Sequence, residues 1–181
     1  MQSIEEFKDS TPSSSAKGSN SVLWITSLTH TVTSVSAGKP VSINQIQEVD
    51  GNGDLFTITF QIADNAPDGN YEVKFGRPSS SSSLGSFCGE YEMNYNVNYY
   101  NGNITVGSVQ APEEQTPQGI ACSLENVSAS AGSEVVMTCR MSGVNGLAAF
   151  NTYFTYDSQY LKVTSINAGN VIAGKGDFMC Q

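Results

Sequence analysis

The sequence predicts an all-β chain folded as a two-sheet sandwich of about nine strands. Three observations carry this expectation. Helical periodicity is nearly absent along the 181 residues. Short runs with strand chemistry recur instead, several alternating apolar and polar residues with period two. Between them stand turn-forming clusters: Gly51-Asn52-Gly53, Asn65-Ala66-Pro67-Asp68-Gly69, Asn101-Gly102 and Asn145-Gly146.

The strand runs are 22–26, 55–62, 71–75, 93–99, 104–106, 124–128, 135–141, 148–156 and 161–166. In "LFTITFQI" (55–62), Phe56, Ile58, Phe60 and Ile62 line one face, while Thr57, Thr59 and Gln61 share the other with Leu55. In "VLWIT" (22–26), Val22, Trp24 and Thr26 share one face and Leu23 and Ile25 the other, and either can be the buried one. In "YEMNYNVNYY" (91–100), Tyr91, Met93, Tyr95, Val97 and Tyr99 alternate with Asn94, Asn96 and Asn98. That row is either a sugar-stacking platform or the core side of a strand with its asparagines outward, and the alternation favours the core. Ser13–Ser15 and Ser79–Ser83 read as surface loops. Ser42 and Gln45 are spaced like a capping box over one helical turn.

Composition narrows the function. Hydrophobic residues make up 39% and charged residues 14%, a balance typical of extracellular β-proteins whose exposed strand positions carry Thr, Ser and Asn. A net charge of −9 without a basic patch repels phosphate backbones, so nucleic acid is not expected as a partner. No apolar run approaches the roughly 18–20 residues of a membrane span. Met1 leads straight into polar, acidic sequence without a signal peptide, so the chain reads as an excised piece of a longer protein.

Catalytic constellations are lacking. His30 is the one histidine, and it sits in a Thr-rich loop, which leaves no base for a serine or cysteine nucleophile. Glu5-Glu6 and Glu113-Glu114 are sequence neighbours, not carboxylates facing across a cleft. "DGNGD" (50–54) begins like a calcium loop with Asp50, Asn52 and Asp54, but Leu55 replaces the sixth-position Gly and Gln61 the final Glu. It reads as a tight turn. No catalytic residue, metal or cofactor is therefore expected. Sequons stand at Asn103 and Asn126 and matter only in a glycosylating host. Cys88, Cys122, Cys139 and Cys180 show no zinc-like spacing; they are either small buried thiols or one or two disulfides of unspecified connectivity.

The most specific pattern is "GLAAFNTYFTYDSQYLKVTSINAGNVI" (146–172). A Gly, a small residue and Phe open a strand, Tyr156-Asp157 closes it, Leu161 and Val163 begin the next, and an Ala-Gly turn ends that one. Together with "SLENVSASAGSEVVMTCRMSG" upstream, it resembles the amino-terminal half of a cohesin, the dockerin-binding module of cellulosomal scaffoldins. "SVLWITSL", "DGNGDLFTITFQIADNAPDGNYEVKF" and "NGNITVGS" resemble the carboxy-terminal half of the same family, yet they come first.

The resemblance thus implies a cohesin-like jelly-roll sandwich with its halves in swapped order. The chain is expected to form one domain over 1–181. Residues 1–108 would match the family's second half and 122–181 its first, with 109–121 as linker. A circularly permuted module and a fragment cut across two tandem modules both explain the order. Half a sandwich cannot cover its own apolar face, which favours the permuted module. In cohesins the first and last strands run side by side in parallel, so 103–106 and 124–128 should pair as parallel neighbours. Thirteen linker residues reach about 43 Å when extended, against about 20 Å for a six-residue strand. The new termini, Gln2 and Gln181, should lie close together.

By resemblance the function is non-catalytic: docking of a dockerin-bearing enzyme or scaffoldin onto a cellulosome-type complex for polysaccharide degradation. The setting would be extracellular or on the cell surface of an anaerobic bacterium, with calcium carried by the dockerin. Position by position, the docking face would comprise Ala149, Asn151, Tyr153 and Thr155, with Val22, Trp24, Thr26, Tyr71 and Val73 beside them. Phe150, Phe154 and Tyr156 would point into the core. The family's best-known members carry Asn and Asp where Ala149 and Asn151 stand, so partner type is open here. The alternatives are a carbohydrate-binding module using Tyr95, Tyr99 and Trp24, and a structural adhesin-like repeat.

Overall fold

The computed structural model describes residues 50–76, 87–89 and 94–173, and the backbone alone of strand residues 21–29, 34–36, 39–41, 85–86 and 176–180. Among the described residues there are fourteen strands: β1 (Ser21–Thr29), β2 (Ser34–Ser36), β3 (Lys39–Val41), β4 (Gly53–Ile62), β5 (Gly69–Phe75), β6 (Gly85–Cys88), β7 (Asn98–Tyr100), β8 (Gly102–Val106), β9 (Ala121–Leu124), β10 (Val127–Ala129), β11 (Glu134–Ser142), β12 (Ala149–Tyr156), β13 (Leu161–Ala168) and β14 (Gly176–Cys180). A seven-stranded sheet has the order β10-β8-β5-β12-β1-β14, with β6 also on β12; a five-stranded sheet has the order β13-β4-β11-β9-β7; β2 and β3 form a separate pair. The predicted all-β, two-sheet sandwich is the observed architecture.

Residues far apart in sequence interleave in both sheets. β4 lies between β11 and β13, and β12 lies between β1 and the β5–β6 edge. β5 and β6 follow one another along β12: Thr155 faces Lys74 and Phe154 faces Phe75, then Thr152 to Ala149 face Gly85 to Cys88.

Aromatic rings join the sheets. Phe56 on β4 stacks on Phe150 at 6.1 Å and meets Phe154 edge-on at 5.7 Å. Phe60 meets Tyr156 edge-on at 5.4 Å, and Phe75 lies 4.9 Å from Phe154 and 5.0 Å from Tyr99. Alternation explains why: Phe56, Ile58, Phe60 and Ile62 are all fully buried, while Thr57, Thr59 and Gln61 remain partly exposed. The predicted inward residues Phe150 and Phe154 are buried and Tyr156 packs half-buried on the core.

Where β8 meets β10 the strands run parallel, Val127 against Ile104, Ser128 against Thr105 and Ala129 against Val106. The expected single strand over 124–128 is in fact two. Leu124 closes β9, which pairs with β11 in the five-stranded sheet, while β10 joins the other sheet. The break at Glu125-Asn126 lets one stretch of chain cross the edge of the sandwich. Asn126 secures it by accepting a hydrogen bond at Oδ1 from the Asn103 amide at 3.0 Å.

Residues 109–120 form no strand or helix and are mostly exposed, Glu113 and Glu114 included. Both ends are tied down. Asn70 Nδ2 donates to the Gln110 carbonyl and Asn98 Nδ2 to the Gln118 carbonyl, each at 3.0 Å, and the Gln118 amide donates to the Tyr100 hydroxyl at 3.1 Å.

A second departure concerns 93–99. Asn94 forms an isolated bridge to Cys88, residues 95–97 are irregular, and only Asn98–Tyr100 is a strand. The Ser42–Gln45 turn, both serine patches, the Glu5-Glu6 pair, His30, Tyr91, Met93, Gln2 and Gln181 lie outside the described residues.

Candidate functional site

β12 is the axis of the seven-stranded sheet. Its alternation divides Phe150, Thr152 and Phe154, all buried, from Ala149, Asn151 and Tyr153, which are half-exposed. Thr155, expected outward with them, is buried at 7% exposure. It stands opposite Lys74, near the end of the strand. In β1, Thr26 is registered opposite Asn151, Trp24 opposite Tyr153 and Val22 opposite Thr155. Directly opposed positions of an antiparallel pair lie on one face of a sheet, so β1 brings these three positions beside the β12 residues as expected.

β5 corrects the expectation. Val73 is fully buried and Tyr71 packs half-buried against the core, its ring 5.6 Å from Tyr160 and its hydroxyl donating to the Pro67 carbonyl at 2.7 Å. Neither faces outward. The alternate residues Asn70, Glu72 and Lys74 do. The apolar set Tyr71, Val73 and Phe75 was legible in the sequence as one face, and burying it turns the polar set to solvent.

The polar residues of that face form two hydrogen-bonded groups. Lys74 Nζ lies 2.9 Å from Glu72 Oε2, and Asn101 Nδ2 donates to Glu72 Oε1 at 2.9 Å. Thr105 Oγ1 donates to Asn70 Oδ1 at 2.8 Å. The glutamate is thus compensated within the face, leaving amides, hydroxyls and the Tyr153 ring as its chemistry.

The tyrosines of 95–99 do not build an exposed platform. Tyr95, Val97 and Tyr99 pack against the core while Asn94, Asn96 and Asn98 are exposed. The Tyr95 hydroxyl contacts the Asn145 and Gly146 carbonyls at 2.8 and 2.6 Å. Tyr99 sits among Phe75 and Phe87, and burial pushes its hydroxyl up to about 12, with Cys122 and Cys139 adding to the shift. These rings are half-buried against the core.

Residues 50–52 are irregular and lead directly into β4, which begins at Gly53. Asp50 Oδ1 accepts from the Asn52 amide and side chain at 3.1 and 2.8 Å. Asn52 also donates to the Val144 carbonyl at 2.7 Å and accepts from its amide at 3.2 Å. Asp54 accepts from Arg140 Nε at 2.8 Å. Sequence reasoning missed this Asn52 bridge, because its partner lies 92 residues away. Among the described residues no three His, Cys, Asp or Glu side chains are grouped to hold a metal.

The class defined so far is a two-sheet β-sandwich, one face of which carries mixed polar and aromatic residues on β12. Residues 120–179 match the family model of the cohesin domain. The matched stretch runs from the start of β9 into β14 and includes the whole of β12. The match covers about a third of the chain, and over that stretch the protein is similar to a cohesin domain. Neither the curated proteins nor the solved structures yield a match.

Proposed function

We propose that this chain is a single cohesin module with its halves in swapped order, which docks a dockerin-bearing enzyme or scaffoldin onto an extracellular, cellulosome-type complex. The observation that carries the reading is the family match across β12, the strand whose outward residues face away from the aromatic core. Interleaving of 53–62 with 134–142 and 161–168 supports one module in place of two stumps. The parallel pair between β8 and β10 also supports it, since it stands where the resemblance sets the family's last and first strands together.

The proposed contact surface is centred on Asn151 and Tyr153, with Ala149 and the β1 positions Val22, Trp24 and Thr26 beside them. Asn70, Glu72 and Lys74 replace Tyr71 and Val73 at its β5 border. No negative charge stands at Ala149 or Asn151, so the partner need not present a cation there.

Titration calorimetry with calcium-loaded dockerins, run beside soluble cellulose and xylan oligosaccharides, tests the reading. A cognate dockerin should bind, and Asn151→Ala with Tyr153→Ala should weaken it by about 2 kcal/mol or more while far-ultraviolet circular dichroism is unchanged. Unchanged affinity removes this face. Binding of an oligosaccharide and of no dockerin replaces the docking reading with carbohydrate recognition.

A further inference from the structure

Cys122 on β9 and Cys139 on β11 sit one diagonal apart across two paired strands, Cys122 opposite Met141 and Cys139 opposite Leu124. Both residues are fully buried, and their sulfurs are 3.5 Å apart. A disulfide needs about 2.05 Å, so the sulfurs already in contact must approach further and the two strands must draw together at this diagonal. Cys88 offers no comparable geometry: it lies on β6 in the other sheet, with its thiol on the Ala149 carbonyl.

We propose that Cys122 and Cys139 are a dedicated oxidation site, closed into a cross-strand disulfide by exchange with a small-molecule disulfide while the sandwich is still open. One cysteine thiolate attacks the reagent and releases one small thiol. The second cysteine then displaces the other thiol from the mixed disulfide. The protein loses two protons and two electrons, and the reagent is reduced to two thiols.

The order of events follows from the packing. Burial pushes the Cys139 thiol well above its ordinary range, and contact with Cys122 adds to this, so the closed core offers little thiolate. Once made, the bond is shielded from reductant by the same burial. The strand it would anchor to β11 is β9, the one that follows the 109–120 crossing.

Refolding the full chain in a mixture of oxidised and reduced glutathione, then digesting with trypsin and a glutamate-specific protease, reads the outcome. Cleavage after Glu114, Glu125, Glu134 and Arg140 isolates Cys122 in peptide 115–125 and Cys139 in peptide 135–140. These two should emerge joined and separate on reduction. The oxidised protein should melt roughly 5–10 °C above the reduced one, and Cys122→Ala should abolish that difference. The folded, reduced protein should keep its thiols in oxidised glutathione under conditions where the unfolded chain loses them. If the chain does not refold in vitro, the same peptide map on protein secreted into an oxidising compartment decides the matter. Unlinked peptides, or a link to Cys88 or Cys180, overturns the proposal.

Discussion

Replacing Gly102 by Ala should strike the place where the two parts of the chain meet. Gly102 opens β8 and is buried beside the β9–β10 break. A Cβ built there would lie 2.6 Å from the Glu125 carbonyl oxygen and 2.7 Å from Leu124 Cβ. Ordinary contact begins near 3.4 Å, so the neighbours must retreat by about 0.8 Å. The Glu125 obstacle is backbone and the other is a Cβ fixed to it, so no flexible side-chain end can give way. β8 must therefore move from the 124–126 crossing, loosening the Asn103–Asn126 hydrogen bond and the parallel pairing with β10. Overpacking of this kind costs about 1–3 kcal/mol. At about 3 °C per kcal/mol for a chain of this length, the thermal midpoint should fall by about 3–9 °C. Gly69→Ala is the control. It lies in the same β5–β8 ladder, opposite Val106, but its added methyl would meet nothing closer than 3.9 Å. Both variants restrict the unfolded chain alike, so their difference isolates the clash. Calorimetric melting supplies the midpoints, and amide exchange at Val127–Ala129 should quicken only in Gly102→Ala. Equal midpoints for the two variants would refute the close approach and the crossing built on it.

Two further perturbations probe the core. Tyr99 has its hydroxyl raised from the usual 10.0 to about 12, so between those values the unfolded chain loses its proton while the folded one keeps it; stability should be constant below pH 10 and decline as pH rises from there. Tyr99→Phe should flatten part of that decline, and a spectrophotometric titration of the wild type should show one tyrosine ionising near pH 12; an unchanged profile in the variant would assign the effect elsewhere. Phe154, fully buried between Phe56 and Phe75, should cost about 3–5 kcal/mol when cut to Ala, read by urea unfolding, and a loss below about 1 kcal/mol would mean that these rings do not pack as described.

The sequence by itself determined the local facts. Strand chemistry and turn punctuation marked β4, β5, β11, β12 and β13, and the family resemblance, carried over by position, implied that Phe150 and Phe154 are interior, as they are. The breaks at 50–52, 63–68 and 143–148 followed from Gly, Asn and Asp chemistry, and the 146–172 pattern lies within the stretch that matches the cohesin model. Tertiary structure alone decided matters of partnership. A strand has two faces, and one sequence window does not say which neighbours a face will meet. Tyr71 and Val73 therefore belonged to the core, leaving Asn70, Glu72 and Lys74 outside. The tyrosines at 95 and 99 kept their inward face, although most of their expected strand did not form, because Phe75, Phe87 and the Asn145-Gly146 carbonyls lay within reach. The division of 124–128 between two sheets, the Asn52–Val144 bridge and the contact of Cys122 with Cys139 join residues 17 to 92 positions apart or separate adjacent ones. Such pairings exist only once distant strands are side by side, and local propensity carries no term for them.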